Sequence, residues 1–367
     1  MKTIAERLKS ARKMKGLSLQ ELADAIGNRI SRQALHKYEQ GITSPDSTLI
    51  NAICYALHIK PDYFYREKLV ELGKINYRKI TKLSASDQQM AIERSKDLLE
   101  RYLELEALLN LNSAFTNPLS NTMISDWQDA EKAAAEVRHE WKLGIDALPN
   151  VLELLENREI KVLEIEAHND FNGMSAIVSE NIPIIVVNKT QIIDRLRFTA
   201  LHELAHLIFK FPEGTEDKIE ERLCNSFAGA MLLPVESLRY ELGENRSELH
   251  IKELEQIKEK YGISIQAIVM RAKTHGIISD HFTEQFFKKF RAMGFAKNEP
   301  GSYRGIEKAT RFNQLLLRGF AEEAFSQSKA ATLANLPLYE FREFLKVDNK
   351  NNEQTNTDLE IHEDSHY

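Results

Sequence analysis

The five residues His202-Glu203-Leu204-Ala205-His206 predict the architecture of the larger part of this 367-residue chain. They lie inside a mostly apolar run from Phe198 to Phe209, which predicts a helix. Residues four apart share one face of a helix, so both imidazoles can reach a single zinc ion. Glu203 then lies beside the metal, where its carboxylate can accept a proton from bound water. The alternative is a coincidental match on a core helix, and the neighbouring sequence has to decide between the two.

Length and composition are those of a protein with two to three domains and an ordinary core. The chain is 43% hydrophobic and 28% charged, and no apolar stretch reaches the roughly 18 residues of a membrane span. The N-terminus from Met1 to Arg7 is charged and has no signal-peptide core. Cys54 and Cys224 lie in segments that we assign to different domains, so we expect no disulfide and a cytoplasmic location. The lack of a long apolar stretch predicts no membrane partner.

Charge is distributed unevenly along the chain. Residues 1–66 carry 11 Lys and Arg against 6 Asp and Glu, a surplus of five positive charges. Because the whole chain has a net charge of −6, the remainder carries −11. A basic head on an acidic body predicts that only the head meets a polyanion.

The basic head, residues 4–66, is predicted to contain five short helices. Ser18 followed by Glu21 forms a capping box, which is typical of a helix start. The predicted elements are Ile4 to Lys15, the helix from Ser18 through Ile26, Arg32 to Glu39, Ser47 to Leu57 and a last turn from Pro61.

Two stretches of the head, Leu17 to Ala23 and Ser31 to Gly41, resemble the lambda-repressor-like (XRE-type) helix-turn-helix DNA-binding domain. The resemblance implies a double-stranded DNA operator, bound by a homodimer. It also implies that the second helix reads bases, with Arg suited to guanine and Gln to adenine. The outward-facing residues of that helix are Arg32, Gln33, His36 and Lys37.

The turn Gly27-Asn28-Arg29-Ile30 is about two residues longer than the common form of this motif. A longer turn can shift the second helix relative to DNA. The resemblance therefore specifies the fold of the head more closely than it specifies the residues that contact bases. The alternative interpretation is a small helical bundle whose outward charges are only solvated.

The middle of the chain is predicted to join the head to a second domain. Residues 67–86 read as a linker, and a heptad-like pattern follows from Asp87 to Leu109. This pattern leaves two alternatives open: a helix that packs onto its own chain, or a helix that dimerises. A polar loop at residues 110–124 separates it from the second domain.

The second domain is predicted to contain a small sheet that leads into the metal-binding helix. Helices are expected at Asp129–Trp141 and Leu148–Arg158, and β-branched strands at Ile160–Ala167 and Ile182–Val187. The dipeptide Asn172-Gly173 between the strands is typical of a turn.

A catalytic zinc needs three protein ligands and an open position for water. The helix from Glu216 to Leu233 carries Glu221-x-x-Cys224-Asn225-x-Phe227-Ala228, and Arg197-Phe198-Thr199 precedes the first histidine. These stretches together resemble the ImmA/IrrE metallopeptidase family, as does Gly173-Met174-Ser175, which matches a strand before the zinc helix of that family.

The resemblance implies that His202, His206 and Glu221 ligate zinc and that Glu203 is the general base. Asn225, one turn beyond Glu221, is the expected hydrogen-bonding partner behind the ligands. Glu220 is the alternative third ligand, because a shift of one residue in register would exchange the two acids.

The predicted fold is mainly α, with a five-helix DNA-binding domain followed by an α+β zincin-like metallopeptidase domain that has a small sheet and C-terminal helices. The expected boundaries are 1–66 for the head, 67–129 for the linker and a helical segment, 130–280 for the metallopeptidase domain, 281–347 for C-terminal helices and 348–367 for a disordered acidic tail. That tail holds six acids and one lysine.

The expected function is that of a transcriptional regulator with a zinc-dependent peptidase domain, whose protein substrate is the chain itself or a partner repressor. The alternative is a zinc-peptidase-like domain that acts as a non-catalytic sensor or interaction module. An intact Glu203 favours the enzyme, because a pure metal sensor needs no general base.

Overall fold

The structure is a computed structural model, and it describes residues 2–66, 83–112, 114–120, 122–178 and 181–346. Most of the predicted linker and the whole predicted acidic tail lie outside the described residues. The described residues form sixteen α-helices, one 3-10 helix and a three-stranded sheet. The prediction of a mainly helical chain with a small sheet is therefore confirmed.

The chain divides into two compact units. The first comprises Met1–Glu100 and Ser113–Thr310, and the second comprises Arg101–Asn112 and Arg311–Tyr367. The first unit contains both the head and the predicted metal-binding domain. The finer domain boundaries given above stay a prediction.

Local capping explains why the helices of the head begin where they do. They are α1 (Lys2–Met14), α2 (Leu19–Ala25), α3 (Arg32–Glu39), α4 (Ser47–Leu57) and a 3-10 helix at Pro61–Tyr65. Ser18 Oγ accepts from the backbone N–H of Glu21 at 3.1 Å, and the Glu21 carboxylate accepts from the N–H of Ser18 at 2.7 Å. Ser31 caps α3 and Asp46 caps α4 in the same way.

The long turn between α2 and α3 is accommodated by two consecutive residues in the left-handed region. Gly27 has a φ of 73° and Asn28 a φ of 53°. Glycine and asparagine adopt this region at the least cost, so the sequence at the turn suits its backbone.

A bidentate ion pair fixes the end of α3 against α1. Arg12 Nε lies 2.6 Å from Glu39 Oε1 and Arg12 Nη2 lies 2.8 Å from Oε2. Leu8, Leu22 and Leu35 are almost fully buried between the helices. The packed side of α3 therefore faces the core of the head, and its opposite side faces solvent.

The metal-binding domain is built from one sheet and the helices around it. Its helices are α6 (Trp127–Glu140), α7 (Val151–Glu156), α8 (Ile193–Ile208), α9 (Asp217–Leu232), α10 (Val235–Leu242), α11 (Ile251–Tyr261), α12 (Ile265–Thr274) and α13 (Asp280–Ala292). Its strands are β1 (Lys161–Ile165), β2 (Gly173–Val178) and β3 (Ile182–Asn188). As predicted, α9 stops just before Pro234, which cannot continue a helix.

The sheet has the strand order β1-β3-β2, with β1 parallel and β2 antiparallel to β3. Gly173 begins β2, as the family resemblance implied, and is not a turn residue. A Cβ at this position would lie 2.7 Å from Thr199 Cγ2 and 2.8 Å from the carbonyl oxygen of Val186. The glycine therefore marks a close approach between the strand and α8.

The helix α5 (Ala85–Leu108) begins near the end of the predicted linker. Several of its heptad positions are buried within the single chain, namely Ala91, Ser95, Tyr102 and Leu105. This burial favours packing onto the same chain over a dimerising helix. In addition, the buried side chain of Arg7 pairs with Glu100 at 2.6 Å, which attaches α1 of the head to α5.

One guanidinium joins the head to the metal-binding domain. Arg94, on α5, donates from Nε to the carbonyl oxygen of Met14 at 2.9 Å, at the end of α1. It also donates from Nη1 to the carbonyl oxygen of Glu166, just after β1. The polar link between the two domains therefore uses backbone acceptors on both sides.

The second compact unit contains α14 (Arg311–Ala321), α15 (Gln327–Leu333) and α16 (Leu338–Phe344), together with the C-terminal end of α5. Arg101 Nη1 donates to the carbonyl oxygen of Leu333 at 2.8 Å. The rings of Tyr102 and Phe312 lie 5.5 Å apart between their centroids. None of the described helices has the length and apolarity of a membrane-spanning helix.

Candidate metal centre and DNA-binding surface

Three predicted ligands meet where α8 and α9 pack together. The Nε2 atoms of His202 and His206 lie 3.2 Å apart. The carboxylate oxygens of Glu221 lie 3.3 Å from each of these nitrogens, Oε2 from His202 and Oε1 from His206. The helical spacing expected from the sequence thus brings two imidazoles and one carboxylate to a common point.

This spacing fits a zinc ion. Four ligands placed tetrahedrally at about 2.0–2.1 Å from zinc are separated from one another by about 3.3–3.4 Å. The donor set of two imidazole nitrogens and one carboxylate is also one that catalytic zinc uses, with a further position open to water. Among the described residues, the His, Cys, Asp and Glu side chains that could hold a metal ion are His202, His206 and Glu221. Glu220, the alternative ligand, is not part of this group.

The three donors differ in their exposure. The side chains of His202 and His206 are 9% and 5% exposed, whereas that of Glu221 is 43% exposed. The centre is therefore open on the side of α9. Asn225 is exposed one turn beyond Glu221 on the same helix; its role behind the ligands stays a prediction.

The predicted general base is held from the sheet. Glu203 is only 2% exposed, and Ser175 Oγ on β2 donates a hydrogen bond to Glu203 Oε2 at 2.8 Å. Gly173 and Ser175 are two residues apart and so lie on the same face of β2. The sequence did not lead us to assign a role to Ser175. The available signal was its position two residues after Gly173, which places both on one face of a strand.

Two buried ionic contacts fix the first half of α8. Arg197 Nη1 pairs with Glu307 Oε2 at 2.5 Å, with neither side chain exposed, and Arg197 Nη2 donates to the carbonyl oxygen of Leu148 at 2.6 Å. Lys258 pairs with Asp194, in the first turn of α8, at 3.0 Å.

The chain segment after α13 supplies the opposing carboxylates of this anchor. Glu299 lies 3.3 Å from Lys258 Nζ and accepts from the backbone N–H groups of Ile265 and Gln266 at the start of α12. Sequence reasoning missed both Glu299 and Glu307. The available signal was Arg197 in a helix predicted to pack into the core, because a buried guanidinium requires a partner.

The metal-binding domain holds a further buried ionic group around Glu131. Glu131 on α6 accepts two hydrogen bonds from Arg271, from Nη1 to Oε1 at 2.6 Å and from Nη2 to Oε2 at 3.0 Å. His275 Nε2 lies 3.4 Å from Glu131 Oε2. Burial acts to raise the pKa of Glu131, but the contacts with His275 and Arg271 outweigh it and lower the pKa. Since α6 packs along α9, this group supports the helix that carries Glu221.

The predicted DNA-reading residues all lie on the solvent side of α3. Arg32 and Gln33 occupy its first turn, and His36 and Lys37 follow one turn later; all four are exposed. Leu35 and Glu39 form the buried side. The arrangement leaves one polar face of a short helix available for the major groove of DNA.

Comparisons with known proteins agree with this architecture. A helix-turn-helix family model matches residues 8–64, and the model of the IrrE N-terminal-like domain matches residues 155–273. The chain is also 31% identical over 103 residues to the SPbeta prophage-derived uncharacterized HTH-type transcriptional regulator YonR of Bacillus subtilis (strain 168). That similarity spans 28% of this chain and 94% of the relative.

The chain therefore belongs to the HTH-type transcriptional regulators. Its DNA-binding helix-turn-helix domain is joined to an IrrE-like domain with a metallopeptidase-like fold.

Proposed function

We propose that this regulator is a cytoplasmic protein whose IrrE-like domain is a zinc-dependent peptidase, and that it cleaves itself or a partner repressor to switch transcription. The observation that carries the proposal is the convergence of His202, His206 and Glu221 at 3.2–3.3 Å from one another. With Glu203 next to His202 in the chain, the group contains the ligands and the general base that zinc peptidolysis uses.

The residues of the chain would divide the chemistry as follows. The two histidines and Glu221 would hold a zinc ion, which would supply a Lewis acid and lower the pKa of a bound water. Glu203, oriented by Ser175, accepts the proton of the attacking water and returns it to the leaving amine. Strand β2 lies at an edge of the sheet, so an extended peptide could pair along it and present its carbonyl beside Glu203.

The head would bring this chemistry to a DNA operator. We propose that it binds double-stranded DNA as a homodimer, with Arg32 and Gln33 reading base edges and His36 and Lys37 contacting bases or phosphates. The substrate would then be a regulatory protein held at the operator, or the chain itself.

Metal analysis tests the ligand set. We expect one zinc per chain in the wild type, in Glu203→Gln and in Glu220→Gln, but a loss of zinc in His202→Ala and Glu221→Gln. Glu220→Gln is the matched control because it removes the neighbouring acid of the same helix. Retention of zinc by Glu221→Gln together with its loss from Glu220→Gln would transfer the ligand role to Glu220.

Mass spectrometry of zinc-loaded protein tests the peptidase. We expect fragments of the chain, or of a repressor that co-purifies with Glu203→Gln, to form with the wild type and to form about 10²–10⁴-fold more slowly with Glu203→Gln. If Glu203→Gln keeps zinc and regulates a reporter gene as the wild type does, the domain is instead a non-catalytic sensor or interaction module.

A further inference from the structure

We propose that the α9 side of the metal centre is a binding subsite for an acidic segment of the substrate protein. This inference rests on the proposed peptidase function, because it assigns a substrate class to the same site. It concerns a groove of about 480 Å³ that is lined by Lys218, Ile219, Glu221, Arg222 and Asn225.

The groove is continuous with the metal centre. Its lining residues are spaced by three and four along α9, so they share one face of that helix. Glu221 belongs both to the groove and to the three-donor group, and its half-exposed side chain is the open side of that group. A peptide that reaches the metal from this side therefore lies close to Lys218 and Arg222.

The two cations of the groove are available for pairing. Lys218 and Arg222 are both exposed, and neither forms an ion pair within the part of the chain that the structure describes. The buried cations of the same domain, such as Lys258 and Arg271, are engaged with carboxylates. A carboxylate that enters the groove can thus gain a charge-assisted contact without breaking an existing one.

The charge of the groove contrasts with that of the surrounding protein. Outside residues 1–66 the chain carries a net charge of −11, whereas the groove combines two cations with Glu221, whose charge would be engaged by zinc. Asp217 and Glu220 lie on the same helix but do not line the groove. Within the groove, an acidic side chain therefore finds two cations as direct partners, whereas a basic side chain finds only Glu221, which zinc would engage.

Peptide binding to the full-length, zinc-loaded Glu203→Gln variant tests the subsite. The probes are two fluorescein-labelled peptides of equal length with the same apolar centre, one flanked by three glutamates and the other by three lysines. By fluorescence anisotropy we expect the acidic peptide to bind about fivefold more tightly or better, the order of magnitude of two exposed ion pairs. Salt should reduce this preference, because it screens exposed charges.

A charge-reversal pair locates the binding. Lys218→Glu/Arg222→Glu, made in the Glu203→Gln background, should abolish the preference for the acidic peptide. Lys288→Glu/Lys289→Glu is the matched control, since it reverses two exposed cations on α13 and changes the net charge equally. The control should keep the preference. If the groove variant still prefers the acidic peptide, the basic head binds it and the proposal is overturned.

A cleavage assay with wild-type protein and the same peptides separates this inference from the proposed function. If the protein prefers the acidic peptide through the groove but cleaves neither peptide, the result supports the subsite and counts against the peptidase. Cleavage of both peptides at equal rates, with equal affinities, supports the peptidase and overturns the subsite.

Discussion

Arg197 and Glu307 form an ion pair of 2.5 Å although they lie 110 residues apart in the chain. Neither side chain is exposed to solvent. Arg197 belongs to the helix that carries His202 and His206, and Glu307 belongs to the segment after α13. The contact therefore couples the position of the metal-binding helix to a part of the chain far from the metal motif.

Removal of Glu307 should destabilise the protein strongly. In Glu307→Ala the guanidinium of Arg197 remains buried without its counter-charge, which typically costs about 3–5 kcal/mol in the free energy of unfolding. Urea denaturation of the metal-free protein measures this change. The control is Glu322→Ala, which breaks an exposed ion pair with Arg318 and should cost less than about 1 kcal/mol. Equal effects of the two substitutions would contradict the role assigned to burial.

Arg94 should make the stability of the head depend on zinc. In the wild type, zinc binding stabilises the metal-binding domain by mass action, and every part that unfolds with that domain is stabilised with it. We expect one zinc-responsive transition in differential scanning calorimetry of the wild type. In Arg94→Ala, which loses both backbone contacts, an earlier head transition should appear that zinc does not move. Arg239→Ala, which removes an exposed cation on α10, should behave as the wild type does.

The first turn of α3 should carry the sequence specificity of DNA binding. Arg32→Ala or Gln33→Ala should reduce the preference for the operator over unrelated DNA by about 1–3 kcal/mol, because each loses a contact to a base edge. The operator is first selected from genomic fragments with the purified protein, and affinities are then titrated at fixed salt. Lys9→Ala, an exposed cation on α1, is the control. An unchanged preference in both α3 variants would place base reading elsewhere.

Glu131 should contribute stability that is lost in acid. Its pKa is lower in the folded protein than its ordinary value, so the contribution is fully present above the unfolded pKa of about 4.3. It disappears as the pH falls through the lower, folded pKa. We therefore expect Glu131→Gln to be less stable than the wild type at pH 7, with the difference narrowing below about pH 4. Urea denaturation across this range would refute the assignment if the gap stayed constant.

The features that the sequence predicted best are those set by neighbouring residues. The bounds of α3 and α4 follow from Ser31 and Asp46, whose side chains cap the first turn of the helix beside them. His202 and His206 meet because a helical repeat places them on one face. Such local geometry depends on no distant part of the chain.

The features that the sequence did not predict depend on distant contacts. Glu307 reaches Arg197 across 110 residues and Glu299 reaches Lys258 across 41, and no periodic pattern links such pairs. The heptad pattern around Ala91 also predicts the same apolar face for a helix that packs internally and for one that dimerises. Only the surrounding fold distinguishes these cases.

The contacts of Arg94 tolerate substitution at two of the three positions that they join. Both of its acceptors are carbonyl oxygens of the main chain, and every amino acid supplies such an oxygen. Substitutions at positions 14 and 166 therefore leave both acceptors in place. A substitution of Arg94, by contrast, removes the donor of both hydrogen bonds. The bridge therefore depends on the side chain at position 94 and not on the side chains at positions 14 and 166.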